Sequence, residues 1–225
     1  GVMRCREFFM KDAYSFDLDD SSAKSSYNKM FFSYLKTFKR LGLEAIPMAA
    51  DTGPIGGDLS HEFIILAETG ESKIYTDKSI FEIDLNNYSF NNSSLEKMIK
   101  DYSSIYAVTD DKFKKNEFDK KVPKKNQMIT KGIEVGHIFY FGDKYSKPLN
   151  CLIDGQGGKK IAVKMGSYGI GVSRLTAAII EAYHDDKGIK WPFQISPFKI
   201  NIISALKDEK LTVDQDLYIK LSNKY

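Results

Sequence analysis

Two cysteines, one tryptophan and three histidines are all that 225 residues hold of these types. Cys5 and Cys151 stand far apart with no Cys-x-x-Cys spacing, so neither a disulfide framework nor a zinc ribbon is expected, and the usage suits a reducing cytosol. Long apolar runs are missing too. None nears the ~18 residues a membrane-spanning helix needs, and no membrane partner is expected. Charge of one sign is also lacking: 33 Lys and Arg against 30 Asp and Glu leave a net +3, too mild to demand nucleic acid yet compatible with local basic surfaces. The first ten residues carry neither a secretory leader nor an amphipathic targeting helix. What the chain does have is 42% hydrophobic and 13% aromatic residues, enough to bury a substantial core and to exclude disordered and fibrous classes.

Asp19, Asp20 and Ser21 can cap a helix whose apolar residues Tyr27, Met30, Phe31, Tyr34, Leu35, Phe38 and Leu41 recur at three- and four-residue steps, with Gly42 as its stop. Short β-type runs follow at 45–50 and 62–67, divided by the turn-rich 51–60. From Asp77 to Lys131 the text changes. Asn and Ser cluster at 86–94, a short amphipathic helix fits 95–105, and 112–131 holds eight lysines, so the segment reads as an insertion. Strands are expected again at 133–141 and 160–165, a helix at 172–183, a new strand at 199–205 and a last helix at 213–221. Strands bracket helices without βαβ repetition, which points to an α+β fold, an antiparallel sheet with helices against it. The termini read like those of a piece of a longer polypeptide, with a second α/β unit starting near Pro197.

Two segments could carry chemistry. In Met165-Gly-Ser-Tyr-Gly-Ile-Gly-Val-Ser-Arg174, a strand runs into glycines and then a helix with an arginine in its first turn. Gly169 and Gly171 let a flat ligand approach the backbone, and Arg174 can reach phosphate or stack on a base. A glycine turn for tight helix packing fits equally well. A dinucleotide fingerprint does not, because Arg174 stands where its third glycine belongs. The second segment, Arg4-Cys-Arg-Glu-Phe8, reads as a strand with a cation at the mouth of a site and a ring within it, or simply as an edge strand with a core Phe and a surface Arg.

Together the segments resemble the nucleotide-binding signature of class II aminoacyl-tRNA synthetases, Arg-x-x-x-Phe and Gly-x-Gly-x-x-Arg. Four longer blocks, 6–16, 50–63, 132–139 and 184–192, are similar to the bacterial-type prolyl branch of that family. The resemblance implies ATP as cosubstrate with Mg2+ between its phosphates, L-proline and tRNA(Pro) as further substrates, a homodimer and a cytoplasmic location. It implies that Arg4 and Arg174 hold phosphate as the catalytic cations, that Phe8 and Arg174 sandwich the adenine beside Gly169 and Gly171, and that Ser60, His61, Glu134, Gly136, His137 and Phe139 line the amino-acid pocket, Glu134 being a candidate Mg2+ ligand. His184 reads as structural. No Ser/His/Asp triad stands out in the sequence, as suits adenylate formation and acyl transfer, neither of which needs a protein nucleophile.

The resemblance divides the chain into catalytic core at 1–77 and 132–196, an insertion at 78–131 and the start of an anticodon-binding unit at 197–225. The family's first motif and half of its second are expected before Gly1, so the chain by itself is expected to be inactive. Where many bacterial relatives carry an editing domain, 78–131 is too short for one, and editing in cis is not expected. A threonyl-type relative would need a zinc set of Cys and His that the sequence does not offer. An inactive tRNA-binding paralogue would be favoured by loss of Phe8 or Arg174, and both are present.

Overall fold

The computed structural model describes residues 1–50, 59–203 and 212–224. Along these it runs β1 (Met10–Asp17), α1 (Asp20–Arg40), β2 (Ala45–Ala49), β3 (Leu59–Leu66), β4 (Ser72–Asp77), α2 (Asn92–Ser104), β5 (Ala107–Thr109), α3 (Lys115–Lys121), β6 (Gln127–Gly142), β7 (Leu152–Asp154), β8 (Lys160–Ala162), β9 (Lys164–Gly171), α4 (Val172–Ala182), β10 (His184–Asp185), β11 (Gly188–Ile189) and α5 (Thr212–Ser222).

The capping chemistry read from the sequence sets the ends of α1. The Asp19 carboxylate accepts the Ser22 N–H at 2.7 Å, and Lys39 and Arg40 occupy the last turn, where the helix dipole favours cations. Just beyond, Gly42 adopts φ +79, and a Cβ there would meet Pro192 Cβ at 2.7 Å, so this stop requires glycine. The helix lays Tyr27, Phe31, Tyr34, Leu35 and Phe38 on one face of the sheet, against Phe63, Ile138, Tyr168 and Ile170. Burial of such side chains contributes roughly 1.5–3 kcal/mol apiece.

That sheet has the order β1-β9-β6-β3-β2-β5-β4, antiparallel throughout except where β2 meets β5 at Ala49 and Val108. The α+β expectation is met. One feature lay beyond the sequence reading. β4 turns back to pair with the first half of β6, from Ser72 opposite Gly132 to Asp77 opposite Gln127. The strands β6, β3, β2, β5 and β4 therefore form a closed ring of pairings. They contribute a second buried cluster of Ile46, Met48, Ile64, Ile74 and Ala107, with Ile80 beside them. Gly132 sits where β3, β6 and β4 meet, and a Cβ on it would lie 2.3 Å from Ile64 Cγ2 and 2.8 Å from the Ile65 carbonyl oxygen.

The polar segment after Asp77 supplies more order than its composition suggests. α2 packs Leu95 and Met98 into the main core, β5 pairs with β4 and β2, and α3 covers Tyr75 with Phe118. Elsewhere the structure corrects the expectations. Residues 4–8 are not a strand, because β1 starts at Met10. The glycines 166, 169 and 171 are not a turn but lie within β9, which Lys160–Ala162 precedes as a separate strand. Residues 199–203 carry no strand, and 204–205, like most of the turn-rich 51–60, fall outside the described residues.

Candidate functional site

Strand alternation sorts β3 cleanly. His61, Phe63 and Ile65 face α1, while Ser60, Glu62 and Ile64 face the other way. In β6 the alternation is broken on purpose. Phe63 pairs with Gly136 and Ile64 with Glu134, leaving Val135 as an extra residue in a β-bulge. Without it, residues three apart would point to opposite faces. With it, Glu134 and His137 share the open face, and the His137 Nδ1 lies 3.2 Å from Glu134 Oε1.

Four groups are joined there. Ser60 Oγ lies 2.5 Å from His137 Nε2, and the ring stacks on Phe139 at 3.8 Å between centroids. Since the carboxylate can only accept, Nδ1 carries the proton and donates to Glu134, and Nε2 accepts from the Ser60 hydroxyl. Glu134 is also tied to Arg174, whose Nη1 donates to its backbone oxygen at 3.0 Å and lies 3.4 Å from Oε2. Burial alone would raise the Glu134 carboxyl, but His137 and then Arg174 and Arg4 outweigh it and hold the group below its ordinary value. The Ser–His–Glu connectivity is that of a charge relay, yet Ser60 is only 4% exposed, so its hydroxyl orients the imidazole rather than presenting itself to a substrate.

Glu62, which the sequence reading did not single out, completes the cluster. Its Oε1 is 3.9 Å from His137 Nδ1, and burial, with the neighbouring Glu134 charge next, pushes its carboxyl up to about 7. Its two-residue spacing from Ser60 was the available signal. Glu62, Glu134 and His137 can bring ligand atoms within 4.8 Å of one another. The carboxylates suit a hard cation such as Mg2+, the imidazole does not, and both Glu134 oxygens already have protein partners.

Beside this cluster lies a cleft of about 360 Å3, and Arg4, Phe8, Glu134, His137, Gly169, Gly171 and Arg174 line it. The segment before β1 is fastened to the start of α4: Phe9 N–H donates to Ser173 Oγ at 2.8 Å, Val172 N–H to the Phe9 oxygen at 3.0 Å, and Arg174 Nε to the Met3 oxygen at 2.8 Å. These bonds bring residues 166 positions apart, Phe8 and Arg174, to one cleft. Phe8, 56% exposed as a residue, lines it, with Gly171 offering backbone without a side chain. Arg4, at the mouth, is held by Glu71 through contacts of 2.6 and 3.1 Å, another partner that sequence reasoning missed.

His61 is the correction. It does not join His137, because period two in β3 turns it to the helix face, where Tyr27 OH meets its Nδ1 at 2.6 Å and Phe31 meets its ring edge-on. Gly136 lines the cleft with backbone only, since a Cβ there would project toward Tyr34 and Phe38.

The family model described as tRNA synthetase class II core domain (G, H, P, S and T) matches residues 1–183. The chain belongs to that family. Among relatives of this synthetase core, the proline–tRNA ligase of Pelagibacter ubique (strain HTCC1062) is 62% identical over 218 residues, covering 96% of this chain and 49% of the relative. That of Bartonella quintana (strain Toulouse) is 56% identical, covering 94% and 49%. The chain thus spans about half the length of the curated relatives it matches. Among solved structures, Giardia lamblia prolyl-tRNA synthetase in complex with prolyl-adenylate shares the fold, with TM-score 0.61, 13% identity, and coverage of 98% of this chain and 33% of that one.

Proposed function

We propose that this synthetase core forms prolyl-adenylate from L-proline and ATP and passes the prolyl group to tRNA(Pro). The observation that carries the reading is the shared cleft, where the Phe8 ring, the Arg174 guanidinium and the side-chain-free Gly171 border one space of nucleotide size. Phe8 stacks on adenine, Arg174 covers its other face or reaches phosphate, and Arg4 leaves Glu71 for the terminal phosphate. Next to it, Glu62, Glu134, His137 and Phe139, with the Gly136 backbone and with Ser60 behind the imidazole, form the proline pocket: Phe139 supplies an apolar wall and the Glu62 carboxylate receives the secondary ammonium. His61 has no place in that pocket.

In this reading the proline carboxylate attacks the α-phosphate and pyrophosphate leaves. The chain's groups align and stabilise charge rather than form a covalent intermediate. Glu134 spans both halves, touching Arg174 on the nucleotide side and His137 on the amino-acid side. Mg2+ would neutralise phosphate charge when bound, and Glu134, which lines the nucleotide cleft, is the carboxylate that would hold it. Among the described residues no helix is long and apolar enough to cross a membrane. We place the protein in the cytoplasm as a homodimer, with core at 1–77 and 132–196, the start of an anticodon-binding unit from 197, and 78–131 in the slot where relatives carry editing, so that mischarged alanine is not removed in cis.

The test is proline-dependent ATP–pyrophosphate exchange by the full-length protein. Exchange should fall at least tenfold in both Phe8→Ala and Arg174→Ala. Near-normal exchange in both variants defeats the nucleotide assignment, and rapid hydrolysis of Ala-tRNA by the same preparation defeats the editing statement.

A further inference from the structure

Through the sheet from the acidic cluster lies a second, unlike pocket of about 340 Å3, between the end of α2, β5 and the helix face of β3. Its side chains include His61, Tyr106, Lys112, Lys114 and Lys121, with Glu117 as the acidic member. Glu117 ion-pairs with Lys114 and with Lys121, each at 3.4 Å. Lys112 has no carboxylate within ion-pair distance among the described residues; its neighbours Asp110 and Asp111 accept from Tyr75 OH and Thr109 Oγ1 and keep their charge, and Glu62 acts on it from a greater distance. Among the lining side chains themselves, three lysines stand against one glutamate.

His61 gives this charge a fixed direction. The Tyr27 hydroxyl is fully buried, and Nδ1 of His61 is its one acceptor among the described residues. The hydroxyl must therefore donate to Nδ1, which leaves the proton of the neutral ring on Nε2. His61 is 9% exposed, and its Nε2 has no partner among the described residues. A buried N–H donor lining a pocket rimmed by lysines recognises an acceptor-only group of negative charge. A cation is repelled, and a neutral apolar ligand leaves the donor unsatisfied.

We infer that this pocket binds a phosphate group, with His61 Nε2–H and the Lys112 and Lys121 ammonium groups as its donors. The volume exceeds what one free phosphate ion needs, and the Tyr106 ring, 5.9 Å from Lys121 Nζ, offers a face for a sugar or base, so the phosphodiester of single-stranded RNA is the source the pocket fits. The inference goes beyond the proposed reaction, since the pocket shares no lining residue with the nucleotide cleft.

The experiment follows the His61 imidazole nitrogen resonances of the 225-residue chain while inorganic phosphate, or a single-stranded RNA oligonucleotide, is added, in the wild type and in Lys112→Gln/Lys121→Gln. Both lysines are solvent-exposed, so the variant should keep its fold, checked by circular dichroism. Both probes should move Nε2. The double variant should weaken RNA binding at least fivefold and make the slope of log K against log salt shallower by about 1.4, near 0.7 per phosphate contact on a single strand. A response to inorganic phosphate alone supports the site with a free anion as its source. No response to either probe, or a response undiminished in the double variant, overturns the inference. Proline-dependent exchange by the full-length protein should be unchanged by these two substitutions, so its absence would bear on the reaction and not on the pocket.

Discussion

Replacing Glu62 by glutamine should make the protein more stable, and more so as the pH rises. The carboxyl sits beside Glu134 in a largely buried position that lifts it from an ordinary 4.5 to about 7. In the unfolded chain it ionises near 4.5. Between these values the folded state holds a proton that the unfolded state has lost, so stability falls as pH climbs from 4.5 to 7 and the full penalty stands above 7. At 1.36 kcal/mol per pH unit of difference, that penalty is about 3 kcal/mol at pH 8 and under about 1 kcal/mol at pH 5. Glutamine keeps the shape and carries no charge. Glu62→Gln should therefore gain up to about 3 kcal/mol in urea unfolding at pH 8, and little at pH 5. Equal gains at the two pH values, or a loss at pH 8, would refute the reasoning. An ionised carboxylate held at a cost to folding is what a cation-binding site requires, so the same variant should raise the KM for proline.

Arg174→Ala removes donors to the Met3 and Glu134 oxygens and should cost about 2–3 kcal/mol in chemical unfolding; Arg174→Lys should recover only part of this, lacking the planar fork. Gly132→Ala, whose Cβ meets Ile64 Cγ2 and the Ile65 carbonyl, should lower stability by about 1–3 kcal/mol. In Gly169→Ala the new Cβ meets only Met10 Cε, the end of a flexible side chain, so the melting temperature should barely change while ATP affinity, read by calorimetry, drops. Tyr27→Phe strips His61 Nδ1 of its donor and should cost about 1–3 kcal/mol by thermal unfolding, with no change in ATP affinity.

The helix at Asp20–Arg40 was legible because its cap, apolar spacing and stop agree with one another, whereas the pairing of Phe8 with Arg174 came from the resemblance to the family signature, spacing alone leaving a packing turn and an edge strand open. Other features were hidden for stated reasons. β5 is three residues long in a polar stretch, and its order comes from pairing with β2 and β4 rather than from its own pattern. At the glycines of β9 a packing turn stayed open as an alternative because local propensity carries no knowledge of the neighbours β1 and β6 that hold them extended. His61 and His137 looked alike as lone histidines in similar blocks, and only strand alternation, plus one unpaired residue in β6, sends them to opposite faces. Glu62 was passed over although its spacing from Ser60 marked it.

That unpaired residue, Val135, adds a buried side chain on the helix side next to Gly136 while Glu134 and His137 keep the open face. Deleting it would close the bulge and keep the pairing, with Glu134 opposite Ile64, Gly136 opposite Phe63 and His137 opposite Glu62, so the imidazole would stay on the open face and the core would lose the Val135 side chain.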